Sequence, residues 1–498
     1  MSGESIDVVL VNPGNLRAVY QDLGRSFSAI EPPSLTGLFA TYLRRKGLSV
    51  QIVDAPALNL DPAQAAQAIH DNFAPVLTVV VVYGFQPSAS TQNMPAAGET
   101  CRALKELDPG HRIMMTGTHP AALPERTLRE EAVDFVCDRE GPDTILATVQ
   151  ALKAKSANLR GIPSLWYRVG GVVMSNPAAE LMDDLDGEMP GVAWDLLPME
   201  KYRAHNWHCF EHIHARQPYA SLHTSLGCPY KCTFCCINAP FGKPSYRLWS
   251  PDAVIEDIGV LVETYGVKNI KFVDEMFVLN RNHVFGICDR IIERGYDLNI
   301  WAYARVDTVK DEFLDRLRRA GVRWLALGIE SGSKHVRDGV EKGRFGAVEI
   351  MKVVRKIQEA GINVIGNYIF GLPDDTHETM QETLDLALEA NCEFANFYCA
   401  MAYPGSKLYD LALKNGWTLP ESWIGYSQHS YETHPLRTDA LSSAEVLRFR
   451  DEAFQEYFSS PSYLGLVQRK FGDEVVAHVR EMSAVGLRRR LLEAPAPA

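Results

Sequence analysis

Three cysteines within eight residues carry the most specific chemistry in this chain. Cys228, Cys232 and Cys235 lie in the stretch Gly227-Cys228-Pro229-Tyr230-Lys231-Cys232-Thr233-Phe234-Cys235, spaced Cys-x3-Cys-x2-Cys. Cysteine thiolates hold iron–sulfur clusters, and a full set is four. A loop this compact can aim three thiolates at three corners of an iron–sulfur cube, which leaves one iron open to another ligand. A structural zinc site would use two pairs of Cys or His ligands, and no second pair follows downstream. Cys236 directly follows the third cysteine and reads as a packing residue, because consecutive side chains point apart. The 10 cysteines are irregularly spaced in a chain of 498 residues, which argues against a disulfide scaffold and for a reducing, cytoplasmic compartment.

Elements that could position this loop are legible as alternating strands and helices. Apolar runs are expected as buried parallel strands at residues 6–11, 49–53, 77–82, 112–116 and 133–136, with helical patterns between them. Such alternation predicts a doubly wound, Rossmann-like α/β sheet, whose ligands sit outside the carboxyl ends of the strands. The loops there are 12–15, 54–58, 84–88, 117–123 and 139–143. Residues 156–205 read as a linker with a small hairpin around Gly170-Gly171. A second series begins with a strand at 219–225 that delivers the cysteine loop. Further strands follow at 268–273, 299–304, 324–329, 364–370 and 394–400. Six strand–helix units predict an open partial (β/α)6 barrel over residues 206–415, with its chemistry on the carboxyl-end face. Beyond it, residues 416–498 read as a mostly helical region, opened by the capping box Ser442-x-x-Glu445. Residues 1–155 form the first domain.

Composition narrows the function classes. The chain is 46% hydrophobic and 22% charged, as ordinary globular proteins are. A formal charge of −12 makes a nucleic-acid backbone a poor partner. The longest apolar run is far too short to span a bilayer, and no basic segment with an apolar core opens the sequence.

The cysteine spacing, with an aromatic just before the third cysteine, resembles the signature of radical S-adenosylmethionine (SAM) enzymes. Pro33-Ser34-Leu35-Thr36-Gly37-Leu38, Gly117-Thr118-His119-Pro120 through Glu125, and Asp138-Arg139-Glu140-Gly141 resemble the cobalamin-binding domain that precedes many radical SAM domains. Two departures stand out: Gly117-Thr118 replaces the family's glycine pair, and Arg139-Glu140-Gly141 replaces its glycine-glutamate-glycine. No Asp-x-His-x-x-Gly occurs, so the resemblance implies cobalamin bound base-off. It implies a 4Fe–4S cluster on Cys228, Cys232 and Cys235, with SAM on the open iron. Asn12, Pro33, Thr36, Gly84, Ser88, Gly117, Thr118, His119, Glu140 and Gly141 would line the corrin site.

Further roles follow from the charges of SAM. Asp274 and Glu275 stand where the family's second strand supplies acceptors for the amino group. Arg305 is placed to pair with the carboxylate, since a guanidinium matches a carboxylate bidentately. Glu330 occupies the position that accepts from the ribose hydroxyls, Phe234 would lie by the adenine, and Asn367 is an adenosine candidate. Four histidines, His205, His208, His212 and His214, show no recognised metal pattern and read as a solvated loop, with a substrate or cobalt contact as the alternative. The aromatic and polar stretch from Trp417 to His434 leaves two readings, a cap on the barrel or a wall of the substrate pocket.

The implied activity is C-methylation of an unactivated carbon of a small molecule or natural product. SAM would methylate the corrin in a polar step, and a second SAM would yield a 5′-deoxyadenosyl radical at the cluster. The electron would come from a flavodoxin- or ferredoxin-type donor. Cyclisation or rearrangement without methyl transfer needs the same parts and stays open, as does a corrinoid-binding redox sensor. A methylthiotransferase needs three further cysteines in the first domain, and only Cys101 and Cys137 precede residue 200.

Overall fold

The computed structural model describes residues 3–84, 86, 88–155, 158–343 and 345–493. The N-terminal sheet is built on β1 (Glu4–Asn12), flanked by β2 (Val50–Asp54) and β3 (Phe73–Val82), and continued by β4 (Ile113–Gly117) and β5 (Phe135–Cys137). All these strands pair in parallel. Val8, Val9, Leu10 and Val11 are each fully buried, because helices cover both faces of the sheet. The period of two divides them: Val8 and Leu10 pack with Leu38 and Phe39, while Val9 and Val11 pack with Ile69, Met94 and Ala97. At about 1.5–3 kcal/mol per buried aliphatic side chain, this run fixes the sheet's centre.

The hairpin expected within the linker belongs to the sheet. Its strands β6 (Leu165–Val169) and β7 (Val172–Ser175) add antiparallel to β5, giving the order β2-β1-β3-β4-β5-β6-β7. Leu165 and Tyr167 carry it, since both are buried in the core.

The second sheet comprises β8 (Tyr219–Leu222), β11 (Asn269–Phe272), β12 (Asn299–Arg305), β13 (Val322–Glu330), β14 (Asn363–Phe370) and β15 (Phe394–Cys399). They pair in parallel in the order β15-β14-β13-β12-β11-β8, an open partial barrel. Two short strands, β9 (Ser225–Leu226) and β10 (Arg247–Leu248), bracket the cysteine loop. Sequence signals place the first barrel helix, Pro251–Tyr265: the Ser250 hydroxyl accepts from Ala253 N at 3.1 Å, and Pro251 occupies the first turn. In the C-terminal region the Ser442/Glu445 box opens the helix Ser443–Ser459. No helix among the described residues is long and apolar enough to cross a membrane.

Polar clamps hold the two domains together, and strand-end residues of both sheets line one seam. Arg247 pairs with Glu140, the Trp194 indole donates to Asp257 at 2.7 Å, and Lys271 meets Glu31 at 2.9 Å in a buried ion pair. Asp54, 1% exposed, accepts from Asn12 Nδ2 at 2.8 Å and from the Tyr202 hydroxyl at 2.7 Å. Burial pushes the Asp54 carboxyl up to about 6. Between about pH 4 and about pH 6 the folded chain therefore keeps a proton that the unfolded chain has lost, so stability falls as pH rises through that window. Asp54→Asn is expected to remove about 2–3 kcal/mol of this pH dependence, read as the change in denaturation midpoint between about pH 4 and about pH 7. An unchanged slope would mean that Asp54 does not set it.

Candidate functional site

The cysteine loop leaves β8 through a turn pinned by Asp274. That carboxylate, fully buried after β11, accepts from Thr224 N at 2.6 Å, Thr224 Oγ1 at 2.5 Å and Ser225 Oγ at 2.8 Å. Thr224 Oγ1 also meets His283 Nε2 at 2.9 Å. Asp274, expected to face the SAM amino group, is instead turned inwards, because two hydroxyls and an amide consume its oxygens. Glu275 is the carboxyl that reaches the seam; burial pushes it up to about 8.

Later segments brace the loop itself. Thr233 N donates to Val340 O at 3.1 Å, and Leu408 N donates to Thr233 O at 2.9 Å. Gly227 holds φ +86°, and a Cβ there would stand 2.7 Å from the Ser245 carbonyl oxygen, so a side chain would push the loop off its support. All three cysteines are free thiols. Burial pushes Cys228 up to about 11 and Cys235 well above its ordinary value, and neighbouring thiols add to both. Burial and crowding resist ionising Cys228 and Cys235 together unless a cation joins them. That chemistry fits iron ligation.

Two cations, each paired with a carboxylate, flank the loop. Arg305 Nη1 lies 3.7 Å from Cys232 Sγ, and its guanidinium stacks 3.9 Å over the Tyr230 ring. Its remaining nitrogens reach Asp307 at 2.9 and 3.0 Å and the Lys342 carbonyl. Lys342 Nζ in turn pairs with Glu330 Oε1 at 2.6 Å, both side chains 9% exposed. Glu330 has φ +68° beside a register shift against β14. Backbone strain of this kind persists where surrounding structure enforces it, often at functional sites. Lys342 escaped sequence reasoning because it lies in a loop after the helix Lys334–Gly339 and not at a strand end. Phe234 wedges between two small apolar clusters, one with Val336 and Leu372 and one with Leu408 and Tyr409. Asn367 bridges the Leu327 carbonyl and the Asn396 amide, at 3.2 and 2.9 Å.

Where the two sheets meet, three cavities of about 520, 330 and 410 Å³ adjoin, with Leu35 and Tyr83 lining all of them. Asn12, Pro33, Thr36, Gly84, Thr118, Glu140 and Gly141 contribute from the first domain, while His223, Gly227 and Glu275 contribute from the barrel. Backbone, hydroxyl and amide groups beside apolar walls suit an amide-rimmed macrocycle. Gly117 has φ +140°, and a Cβ there would stand 2.1 Å from the Val82 carbonyl oxygen. Gly117→Ala is expected to cost about 1–3 kcal/mol through forced strain and to strip corrinoid from the purified protein. Wild-type corrinoid content in that variant would contradict this placement.

Other expected corrin contacts fall elsewhere. His119 is 2% exposed and turned away, with Nδ1 3.2 Å from Thr91 Oγ1 and its ring 4.4 Å from that of Trp423. The Trp423 ring draws it out of the seam. The Glu140 carboxylate is spent on Arg247 and on Met182 N at 2.9 Å. Ser88 faces the Tyr403 hydroxyl. The four histidines are no uniformly solvated loop: His205 stacks on Trp207, and His208 is 1% exposed with Nε2 3.0 Å from the Asn299 carbonyl oxygen. The aromatic residues among them pull that stretch inside, whereas His214 stays exposed beside Glu474. The C-terminal aromatic stretch divides likewise, with Trp423 packing on His119 while His429 lines a larger cavity. That cavity, about 1200 Å³, opens inside the barrel and shares Gln86 with the seam.

A family model of the radical SAM superfamily matches residues 222–387, and one of the B12 binding domain matches residues 24–149. An uncharacterised methyltransferase of Pyrococcus horikoshii is 29% identical over 92% of this chain and 93% of its own. The anaerobic magnesium-protoporphyrin IX monomethyl ester cyclase of Rubrivivax gelatinosus is 24% identical over 89% and 77% respectively. The solved structure of the radical SAM methyltransferase TsrM from Kitasatospora setae, with cobalamin and a 4Fe–4S cluster bound, shares the fold. It superposes with a TM-score of 0.67 at 18% identity, covering 93% of this chain and 90% of that one.

Proposed function

We propose that this chain, which belongs to the cobalamin-dependent radical SAM enzymes, methylates an unactivated carbon of a small molecule. The observation that carries the reading is the shared seam. The loop bearing the cysteines and the strand ends of the B12-binding domain line adjoining cavities, and a larger one shares the lining residue Gln86 with them. Bound cobalamin supplies a methyl carrier, and the bound cluster supplies an electron for cleaving SAM.

The protein's own groups position and shield these parts. Cys228, Cys232 and Cys235 hold the cluster, and the Arg305 and Lys342 charges beside Cys232 offset the thiolates. Nη1 is the Arg305 side-chain nitrogen not already bonded to an oxygen among the described residues, and it is the edge that receives the SAM carboxylate. Glu275, held largely protonated near neutral pH by burial, ionises when the SAM ammonium approaches, since a nearby cation favours the carboxylate. Glu330, held in place by its ion pair with Lys342, accepts from the ribose. Asn12, Pro33, Thr36, Gly84, Thr118 and Gly141 cradle the corrin, with apolar Leu35 and Tyr83 excluding water. The electron enters from an external flavodoxin- or ferredoxin-type donor.

Incubating the anaerobically reconstituted enzyme with SAM, a reductant and a small-molecule extract of its source cells tests the reading. Both 5′-deoxyadenosine and S-adenosylhomocysteine are expected. Formation of 5′-deoxyadenosine alone would overturn methyl transfer. It would favour ring formation without methylation, the second reading, which the likeness to the cyclase supports.

A further inference from the structure

We infer that the barrel cavity is the acceptor site, and that it takes a small aromatic molecule bearing a carboxylate, received by Arg450. This rests on the methyl-transfer reading for the cavity's role, but its chemistry comes from the walls. Trp207, Trp301, Tyr303 and Tyr398 are among the aromatic rings that line it, and such rings bury flat apolar surface at little entropic cost. A purely aliphatic chain would not need that many faces.

The charges around the cavity select the head group. Three charged side chains line it: Glu31, Lys271 and Arg450. Glu31 and Lys271 neutralise each other at 2.9 Å, both nearly fully buried. Arg450 is 5% exposed. Its Nε donates to the Phe397 carbonyl at 2.8 Å and its Nη1 to Asp451 at 2.8 Å, and its Nη2 has no hydrogen-bond partner among the described residues. Asp451 does not cancel Arg450, because Arg489 grips the same carboxylate through Nε and Nη2, each at 2.9 Å. Two guanidiniums thus share one carboxylate and leave an excess positive charge at the wall. His429 beside them is held neutral, by burial first and then by the repulsion of Arg450 and Arg489. A buried guanidinium with a free N–H edge binds an anion well, since the group's desolvation is already spent in folding.

The rings alone would also suit a cation, so the head group is the discriminating feature. Equilibrium dialysis of the reconstituted wild-type enzyme against 2-naphthoate, 2-naphthamide and 2-naphthylmethylammonium separates the possibilities without a variant. The carboxylate is expected to bind about tenfold tighter than the amide, with the ammonium weakest. Arg450→Gln should erase the gap, and Arg450→Lys should keep part of it. Amide binding as tight as carboxylate binding, tightest binding of the ammonium, or a gap that survives Arg450→Gln would overturn the assignment. Binding is read apart from turnover. A gap without methylated product would sink the methyl-transfer reading and leave this carboxylate site, whereas methylation without a gap would sink only the carboxylate.

Discussion

Cys232→Ala is expected to leave the protein folded and to remove its iron. Cys232 is half-exposed, and its sulfur makes only long contacts, to Arg305 at 3.7 Å and to the Glu341 carbonyl at 3.8 Å. Truncating it should cost less than about 1 kcal/mol, as surface and half-buried changes do. A three-thiolate site has no spare ligand, so iron content and reductive SAM cleavage should both fall to background. Cys236→Ala is the matched control. Cys236 is 3% exposed and adjacent in sequence, so its loss should cost about 1–2 kcal/mol in packing while iron stays bound. Iron retained by Cys232→Ala, or lost only in Cys236→Ala, would show that the ligand set has been misassigned.

The second large effect is expected at Lys342. Lys342→Met strands the Glu330 carboxylate, which is 7% exposed and has no other cation within its hydrogen-bonding shell among the described residues. Removing one partner of a buried ion pair costs about 3–5 kcal/mol, because the survivor is left charged and unsolvated. The melting midpoint should therefore drop clearly, and SAM should bind more weakly. Glu330→Gln should cost less, and Lys342→Met combined with Glu330→Leu should recover stability but not SAM binding. That split separates scaffold from site. If the double variant is as unstable as Lys342→Met alone, the pair does not govern stability. If it binds SAM normally, the pair does not govern binding.

How much of this was legible before the fold follows from what local sequence can encode. The strands were readable because a parallel strand covered on both faces must be a continuous apolar run, as Val8 to Val11 are. The cysteines were readable because their spacing is itself the chemistry. What stayed hidden depends on partners distant in the chain. Asp274 and Glu275 are neighbours at one strand end, and only the fold turns Asp274 into the clamp on Thr224 and leaves Glu275 at the seam. His119 looked like a pocket residue until Trp423, some 300 positions later, was seen against its ring. Lys342 and Arg450 carried no motif. Lys342 gains its meaning from Glu330, 12 residues earlier on another element, and Arg450 from the cavity that it lines. The hairpin β6–β7 was recognised as a hairpin but not as sheet, because strand pairing to β5 leaves no local signature.

The central claim is that a methyl group leaves SAM and ends on the product's carbon. Trideuteromethyl SAM tests it most directly, followed by mass analysis of the compound that disappears from the extract and the one that replaces it. The account predicts a product heavier by one trideuteromethyl group in place of a hydrogen, formed by the wild type and absent with Cys232→Ala. A new product that carries no deuterium, formed with equal consumption of SAM, would contradict it.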